Sequence, residues 1–372
     1  MIILFIFCGL FILYAWLVLY YWHSWADIKE FEAPHYFVPA EKVSIIIPAR
    51  NEEKNIARLL DALLRQTYPR HLTEIIVADD HSTDDTAKIA AAYPGIKLIS
   101  LQADAINSYK KKAIATGIAG ATGTWIITTD ADCIPPDNWL TTLMAFRKQK
   151  EAVFIAAPVL INPGWPLVRL FQSLDFMVLQ GITGAAVAKG IHSMCNGANM
   201  GYSQEVYEAV GGFEGIDHIA SGDDMLLMHK IWRADKSHVY YLKAKDAIVS
   251  TVPVADWRAF FQQRIRWASK APYYTDKRIF AALLLVYLFN LSFLLLFAYG
   301  FWDYRCWIAL LAGWVAKTVA ELPLFTSISL FFLNKSRPLT FFLLQPLHIA
   351  YVIISGLLGQ RGGYEWKGRK VK

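Results

Sequence analysis

Cysteine is scarce in this 372-residue chain: only Cys8, Cys133, Cys195 and Cys306 occur, and no two of them stand in a CxxC spacing. That excludes a disulfide framework and a thiolate zinc site, and it fits a reducing, cytosolic setting for the middle of the chain. There is no GxGxxG and no GxxxxGK[ST], so neither of the glycine-rich loops that usually cradle a nucleotide's phosphates is available. An excess of one charge sign is lacking too. The net charge is +6, and five basic residues against one acidic stand in the last twelve, RGGYEWKGRKVK. Such a tail suits an anionic membrane face better than a nucleic acid.

What the chain has in excess is apolar surface: 55% of its residues are hydrophobic and 14% aromatic, with a mean hydropathy of +0.31. Residues 2–22 carry no charge over 21 positions, long enough as a helix to cross a hydrocarbon core of about 30 Å. A cleaved leader would need a basic start, a shorter apolar run and a small-residue cleavage site. None is present, so residues 1–24 read as an anchor. Three further apolar stretches follow at 279–302, 306–333 and 339–359. The second carries Lys317, Glu321 and Pro323, and the third Gln345, Pro346 and His348. Lys317 and Glu321 stand i,i+4 and can neutralise each other within one helix. Residues 277–360 therefore supply two or three spans, with 361–372 as a basic tail.

Between the ends, about 40–275, the composition is that of a globular domain. VSIIIPARNEE (43–53) is a β-branched run of the kind buried on both faces of a parallel sheet. Asn51 is placed to cap a helix over 52–64. Residues 73–93 repeat the plan, 96–101 form a third strand, 110–120 a helix, and WIITTDADC (125–133) a fourth strand before a proline-led helix. Alternation of this kind predicts an α/β fold with a mostly parallel sheet and right-handed crossovers. Ligands bind such sheets beyond the carboxyl ends of the strands. Three strands end there in polar clusters: Arg50-Asn51-Glu52, Asp79-Asp80 and Asp130-Ala131-Asp132. With no phosphate loop available, a divalent cation bridging a diphosphate to carboxylates would compensate Asp130 and Asp132.

VSIIIPARNEE, EIIVADDHSTDDT, YKKKAIATGI, TTDADC, NGANMGYSQEVYEAVGGF, SGDDMLL and QQRIRW stand in the order seen in membrane-anchored family 2 glycosyltransferases, which residues 42–270 resemble. The resemblance implies a GT-A (Rossmann-like) catalytic domain over 40–252 and an interface helix over 253–276. It implies a nucleotide-diphosphate sugar donor, a UDP-sugar by preference, and inversion at the anomeric centre. Pro48, Arg50, Glu52, Asp79 and Asp80 match the nucleotide pocket, Lys111 in the run Lys110–Lys112 is the choice near the diphosphate, and Gly197, Ala198 and Asn199 match a segment near the donor sugar. Asp130 and Asp132 match the metal site for Mg2+ or Mn2+. Asp224 takes the base position beside Asp223, where the family usually has Glu-Asp. Gln263, Arg266 and Trp267 match QxxRW.

Those roles make physical sense. Inverting transfer needs a base on the acceptor hydroxyl and charge neutralisation on the departing diphosphate. Asp224 suits the first, with Ser221 and Asp223 suited to cap the helix that aims it. Arg266, a rigid fork that cannot lose its charge, suits the second, and Trp267 offers a flat face to a sugar. The segment around QQRIRW also reads as an amphipathic helix at a bilayer. Residues 164–200 could be core, membrane-surface packing or an acceptor groove; His192 reads as a satisfied histidine. The function implied is transfer of a sugar to a lipid-linked or membrane-proximal acceptor in cell-envelope synthesis, with no nucleic-acid partner. A processive polysaccharide synthase and a silent GT-A binding module are the alternatives. Nucleotide sugars are made in the cytosol, so the domain should face it from the inner or plasma membrane. A basic tail on the same side then requires that 306–333 or 339–359 be re-entrant or interfacial.

Overall fold

A computed structural model of the protein describes residues 2–101, 109–191, 194–219, 222–269, 276–333, 335–359, 364–366 and 369–371. The chain opens on α1 (Ile2–Ala26) and then alternates β1 (Val43–Ala49), α2 (Ile56–Leu64), β2 (Thr73–Asp79), α3 (Thr86–Ala91), β3 (Ile96–Ser100), α4 (Tyr109–Ala119) and β4 (Trp125–Thr128). Next come β5 (Cys133–Ile134), α5 (Trp139–Lys150), β6 (Phe154–Ala156), β7 (Val159–Ile161), α6 (Leu167–Ala188), β8 (Met200–Ser203), α7 (Gln204–Ala209) and α8 (Met225–Ala234). The chain continues through β9 (Val239–Tyr241), β10 (Val249–Thr251), α9 (Trp257–Ala268), α10 (Lys277–Tyr299), α11 (Arg305–Leu333) and α12 (Pro338–Gly359), and ends in a two-stranded ribbon of β11 (Tyr364–Trp366) and β12 (Arg369–Val371). These elements fall into two compact units.

The sheet unit comprises Lys29–Asn162, Ala186–Val252 and Glu365–Lys372. Its main sheet has seven strands in the order β3-β2-β1-β4-β8-β6-β9. The first four run parallel, as the unbroken apolar runs predict, while β8 lies antiparallel between β4 and β6. Ile45 pairs with both Ile75 and Ile127, and all three are fully buried. Apolar side chains on both faces fill the core on either side of the sheet. A second sheet, β5-β10-β7, completes the unit.

Two local expectations give way. WIITTDADC is not one strand: β4 stops at Thr128 in the large sheet and Cys133 opens β5 in the small one. Asp130-Ala131-Asp132 is thus the corner where the chain changes sheets, and a corner exposes carboxylates that a strand interior would not. Asn51 does not cap α2, which begins four residues later than expected. Asn51 instead adopts a left-handed conformation (φ 51°) and its Oδ1 accepts from Thr83 N at 2.9 Å. Asparagine tolerates that region because its short side chain bonds nearby backbone, and here it ties the β1–α2 loop to the β2–α3 loop.

The helical unit comprises Met1–Ile28, Pro163–Ala185 and Pro253–Tyr364. Among the described residues five helices are long and apolar enough to cross a membrane: α1, α6, α10, α11 and α12. The three C-terminal stretches are each one unbroken helix, with Pro323 and Pro346 inside α11 and α12, a tolerance usual for helices packed in membranes. The polar groups that cast doubt on these stretches meet one another. Lys317 Nζ lies 2.6 Å from Glu321 Oε1 and 2.6 Å from Gln345 Oε1, and Tyr14 OH donates to Glu321. α6 differs from the other four in being largely buried. Its Gly181 faces Ile328 of α11 so closely that a Cβ would sit 2.0 Å from Ile328 Cδ1.

Candidate active site

In the sheet unit, β1 and β2 deliver their last residues side by side, with Ala49 opposite Asp79. Pro48, half-buried, stands opposite Ala78. Arg50 Nη1 donates to Asp80 O at 2.6 Å and lies 3.9 Å from the Asp80 carboxylate, so the guanidinium closes over the end of β2. Asp80 Oδ1 is also 3.0 Å from His81 Nδ1. Asp79 is buried; its Oδ2 accepts from Ser82 N at 3.2 Å, while its Oδ1 has no hydrogen-bond partner among the described residues. A buried carboxylate oxygen left unsatisfied is costly, and it marks a place where a donor on a ligand would be welcome. The Glu52 side chain accepts from Asn55 Nδ2 at 2.8 Å, and its backbone N donates to Thr86 Oγ1.

At the corner after β4 the charges gather. Lys110, in the first turn of α4, places Nζ 2.7 Å from Asp130 Oδ1 and 3.1 Å from Asp223 Oδ2. Burial works to lower the lysine's proton affinity, but Asp130 and Asp223, then Asp224, outweigh it and hold Lys110 well above the ordinary lysine value. The ammonium also offsets the repulsion expected between neighbouring carboxylates. Asp224 itself is the N-cap residue of α8: its Oδ1 accepts from Met225 N at 2.7 Å and its Oδ2 from Gly197 N at 3.3 Å. Two backbone donors therefore aim the carboxylate. Ser221, one of the expected caps, lies outside the described residues, as does His192. Asp132 is half-buried, with Oδ1 3.8 Å from the Cys133 thiol.

Two assignments change. Lys111 is not the lysine that reaches the acidic corner. It is buried, donating to Ile216 O at 2.8 Å and to Ile219 O, and so holds the backbone that precedes Asp223. Lys110, one position earlier and so about 100° around the helix, faces the carboxylates instead. Asn199 is fully buried and structural: its Nδ2 donates to Pro158 O at 2.7 Å and Ala247 O at 2.8 Å, and its Oδ1 accepts from Trp139 Nε1 at 2.9 Å. Within Gly197-Ala198-Asn199 the glycine is the member at the site. A Cβ there would lie 3.0 Å from Asp223 Oδ2, 3.4 Å from Lys110 Nζ and 3.5 Å from Asp224 Cβ. Thr128 Oγ1 holds Gly197 O at 2.9 Å.

Among the described residues no group of three or more His, Cys, Asp or Glu side chains forms a metal cage. A Mg2+-type site does not require one, since such ions are held by one or two carboxylates together with substrate phosphates and water. The half-buried Asp130 and Asp132 on their corner fit that donor set.

In the helical unit, α9 carries the QRIRW segment. Gln263 Oε1 accepts from Gln172 Nε2 at 3.0 Å. Trp267 packs on Phe176, with ring centroids 5.9 Å apart, and Arg266 is half-buried. The sequence reading had no role for Arg264, which is buried and paired with Asp175 at 2.5 Å.

The family model for Glycosyl transferase family 2 matches residues 44–211. The chain is 27% identical over 234 residues to probable glycosyltransferase YdaM of Bacillus subtilis, covering 61% of this chain and 54% of that protein. It is 30% identical over 190 residues to glycosyltransferase AglE of Haloferax volcanii, covering 49% of this chain and 59% of that protein. It thus spans little more than half the length of these curated relatives. In three dimensions it is similar to mannosyltransferase PcManGT of Pyrobaculum calidifontis, solved with GDP-Man and Mn2+, with a TM-score of 0.61 at 19% identity over 96% of this chain and 99% of that one. Four parallel strands, three of them with polar clusters at their carboxyl ends, and the antiparallel β8 beside them form a GT-A-like fold, and over these elements residues 44–211 match the glycosyl transferase family 2 model.

Proposed function

We propose that the protein is a membrane-anchored glycosyltransferase that transfers a sugar, with inversion, from a nucleotide-diphosphate sugar to a lipid-linked or membrane-proximal acceptor. The observation that carries this reading is the acidic corner beyond β4, where Asp130 and Asp223 share Lys110 and Asp224 is aimed by two backbone N–H groups. Asp79, with one buried oxygen unsatisfied, and Asp80 beside it would accept from the donor's nucleoside. Lys110 would balance charge near the diphosphate. A divalent cation, Mg2+ or Mn2+, held by Asp130 and Asp132 would supply further charge neutralisation. Asp224 would take the proton from the acceptor hydroxyl as its oxygen bonds to the anomeric carbon, while the diphosphate leaves from the opposite face with the bonding electron pair.

Purified protein in detergent, presented with a panel of UDP- and GDP-sugars and native lipids, tests the reading through release of nucleoside diphosphate and mass analysis of the lipids. Chelator-sensitive release from at least one donor, with a single-sugar increment on a lipid, is the expected result. No release from any donor would overturn the function, and a ladder of oligomers would favour the processive synthase. We further propose that the sheet unit faces the cytosol. A Lys370→Cys variant of a chain stripped of its four native cysteines, treated in intact cells with an impermeant thiol reagent, reports the side on which the tail lies. Protection from the reagent is the expected result; labelling would place the tail, and the sheet unit that includes it, outside and overturn this proposal.

A further inference from the structure

Residues 164–200 could not be assigned between core, membrane packing and an acceptor groove from the sequence. Within them, three α6 residues spaced over little more than one turn each meet a different residue of QRIRW. Gln172 Nε2 donates to Gln263 Oε1 at 3.0 Å, and its own Oε1 accepts from Val254 N at 2.9 Å, just before α9 begins. Asp175 Oδ2 accepts from Arg264 Nη2 at 2.5 Å, while its Oδ1 accepts from Tyr351 OH of α12 at 2.6 Å. Phe176 lies against Trp267.

The Asp175–Arg264 contact does more than neutralise a charge. The Arg264 guanidinium lies 4.3 Å from the Trp267 ring centroid and 4.9 Å from that of Phe260. These are the i+3 and i−4 neighbours on α9, so the cation runs along one face of the helix and bears on an aromatic ring at each end. Its Nε and Nη1 are buried without hydrogen-bond partners among the described residues, which leaves Asp175 as the group that sets the rotation of the guanidinium plane. A buried ion pair is a poor source of stability compared with apolar packing. The planar guanidinium adds a directional contact to the packing of Phe176 on Trp267.

We propose that Asp175 is a positioning residue: through Arg264 it fixes the orientation of Trp267, and Gln172 fixes Gln263 in the same way. Trp267's importance for turnover rests on the glycosyltransferase reading and on its match to QxxRW; its orientation by Asp175 does not. The experiment therefore has two readouts on three variants of the full chain, Arg264→Lys, Asp175→Asn and the apolar pair Asp175→Leu with Arg264→Met. In fluorotryptophan-labelled protein, the Trp267 fluorine resonance is identified by its loss in Trp267→Phe. It should shift in all three variants, including Arg264→Lys, which keeps the charge and loses only the plane. With an active donor in hand, kcat should fall about 10- to 100-fold, as expected for a misplaced group, with the donor KM within about two-fold of wild type. The apolar pair should recover thermal stability and remain slow. If Asp175→Asn fails to fold, the other two variants still decide. An unmoved Trp267 resonance in Arg264→Lys and in the apolar pair would overturn the proposal, as would wild-type kcat in the apolar pair. Absence of any transferase activity in the wild-type protein would sink the functional reading and leave the fluorine result to judge this one.

Discussion

In the sheet unit the side chains of Lys110, Asp130 and Asp223 are 25%, 34% and 9% exposed, whereas in the helical unit those of Lys317 and Glu321 are 0% and 11% exposed and those of Arg264 and Asp175 are 3% and 4%. Both units hold cations against carboxylates, but one leaves the cluster open at the edge of a sheet and the other seals it between helices. An open cluster keeps its charges within reach of water and of a ligand. A sealed one is satisfied by its neighbours and holds helices in register. Charge alone does not separate chemistry from scaffolding; access does.

That contrast can be tested from both sides. The largest effect is expected at the open corner: Asp224→Asn keeps the shape but loses the proton acceptor, and turnover should drop about 10²- to 10⁴-fold with donor affinity nearly unchanged. Normal turnover with weakened donor binding, measured by steady-state kinetics and nucleotide titration, would move the base elsewhere. Next in size is the sealed cluster. Lys317→Met strands Glu321 among α1, α11 and α12 and should lower stability by about 3–5 kcal/mol, while Lys317→Met with Glu321→Leu should recover most of it. Thermal unfolding in detergent measures both.

Lys110→Met separates the two regions most directly. It should cut turnover about 10- to 100-fold by removing a charge beside the transfer site, yet change the melting temperature little. The sign of its pH dependence follows from a lysine held above its ordinary value. Its contribution is complete below the unfolded pKa of about 10.4 and is lost only as pH rises through the folded value. The stability difference from wild type should thus be flat from about pH 6 to 9. The smallest effect is at Glu74, near the start of β2, where Ser44 Oγ donates at 2.6 Å and Thr122 N at 2.8 Å. Although burial opposes it, these bonds lower the carboxyl's pKa. Wild type should exceed Glu74→Gln by about 1 kcal/mol near neutrality, and the gap should close as pH falls below the usual carboxylate range. A gap that widened in acid would contradict this sign.

Much of the molecule was legible because its signals are local. β-branched runs such as 43–47 and 75–77 report burial on both faces of a parallel sheet, and uncharged runs of twenty residues or more report spans. The polar ends of β1, β2 and β4 are visible as soon as the strands are placed, since parallel strands share one carboxyl edge. Three things were not visible. Choosing Lys110 over Lys111 needs the rotation of α4 against the sheet, and neighbouring positions on a helix point in directions about 100° apart. The break after Thr128 needs β10, more than a hundred residues downstream, to pair with Cys133–Ile134. The roles of Gly197 and Asn199 depend on which of three consecutive residues turns inward.

By itself, then, the sequence determined the elements, the apolar helices and the residue types able to do glycosyl-transfer chemistry, because helix and strand periodicity and motif composition are written in neighbouring positions. The tertiary structure alone decided which charges stay open and which are sealed. Lys110 and Lys317 are the same residue type, each a few ångströms from a carboxylate. What distinguishes them is what the fold packs around them, and that depends on contacts such as Lys317–Gln345, 28 positions apart, and Lys110–Asp223, more than a hundred apart.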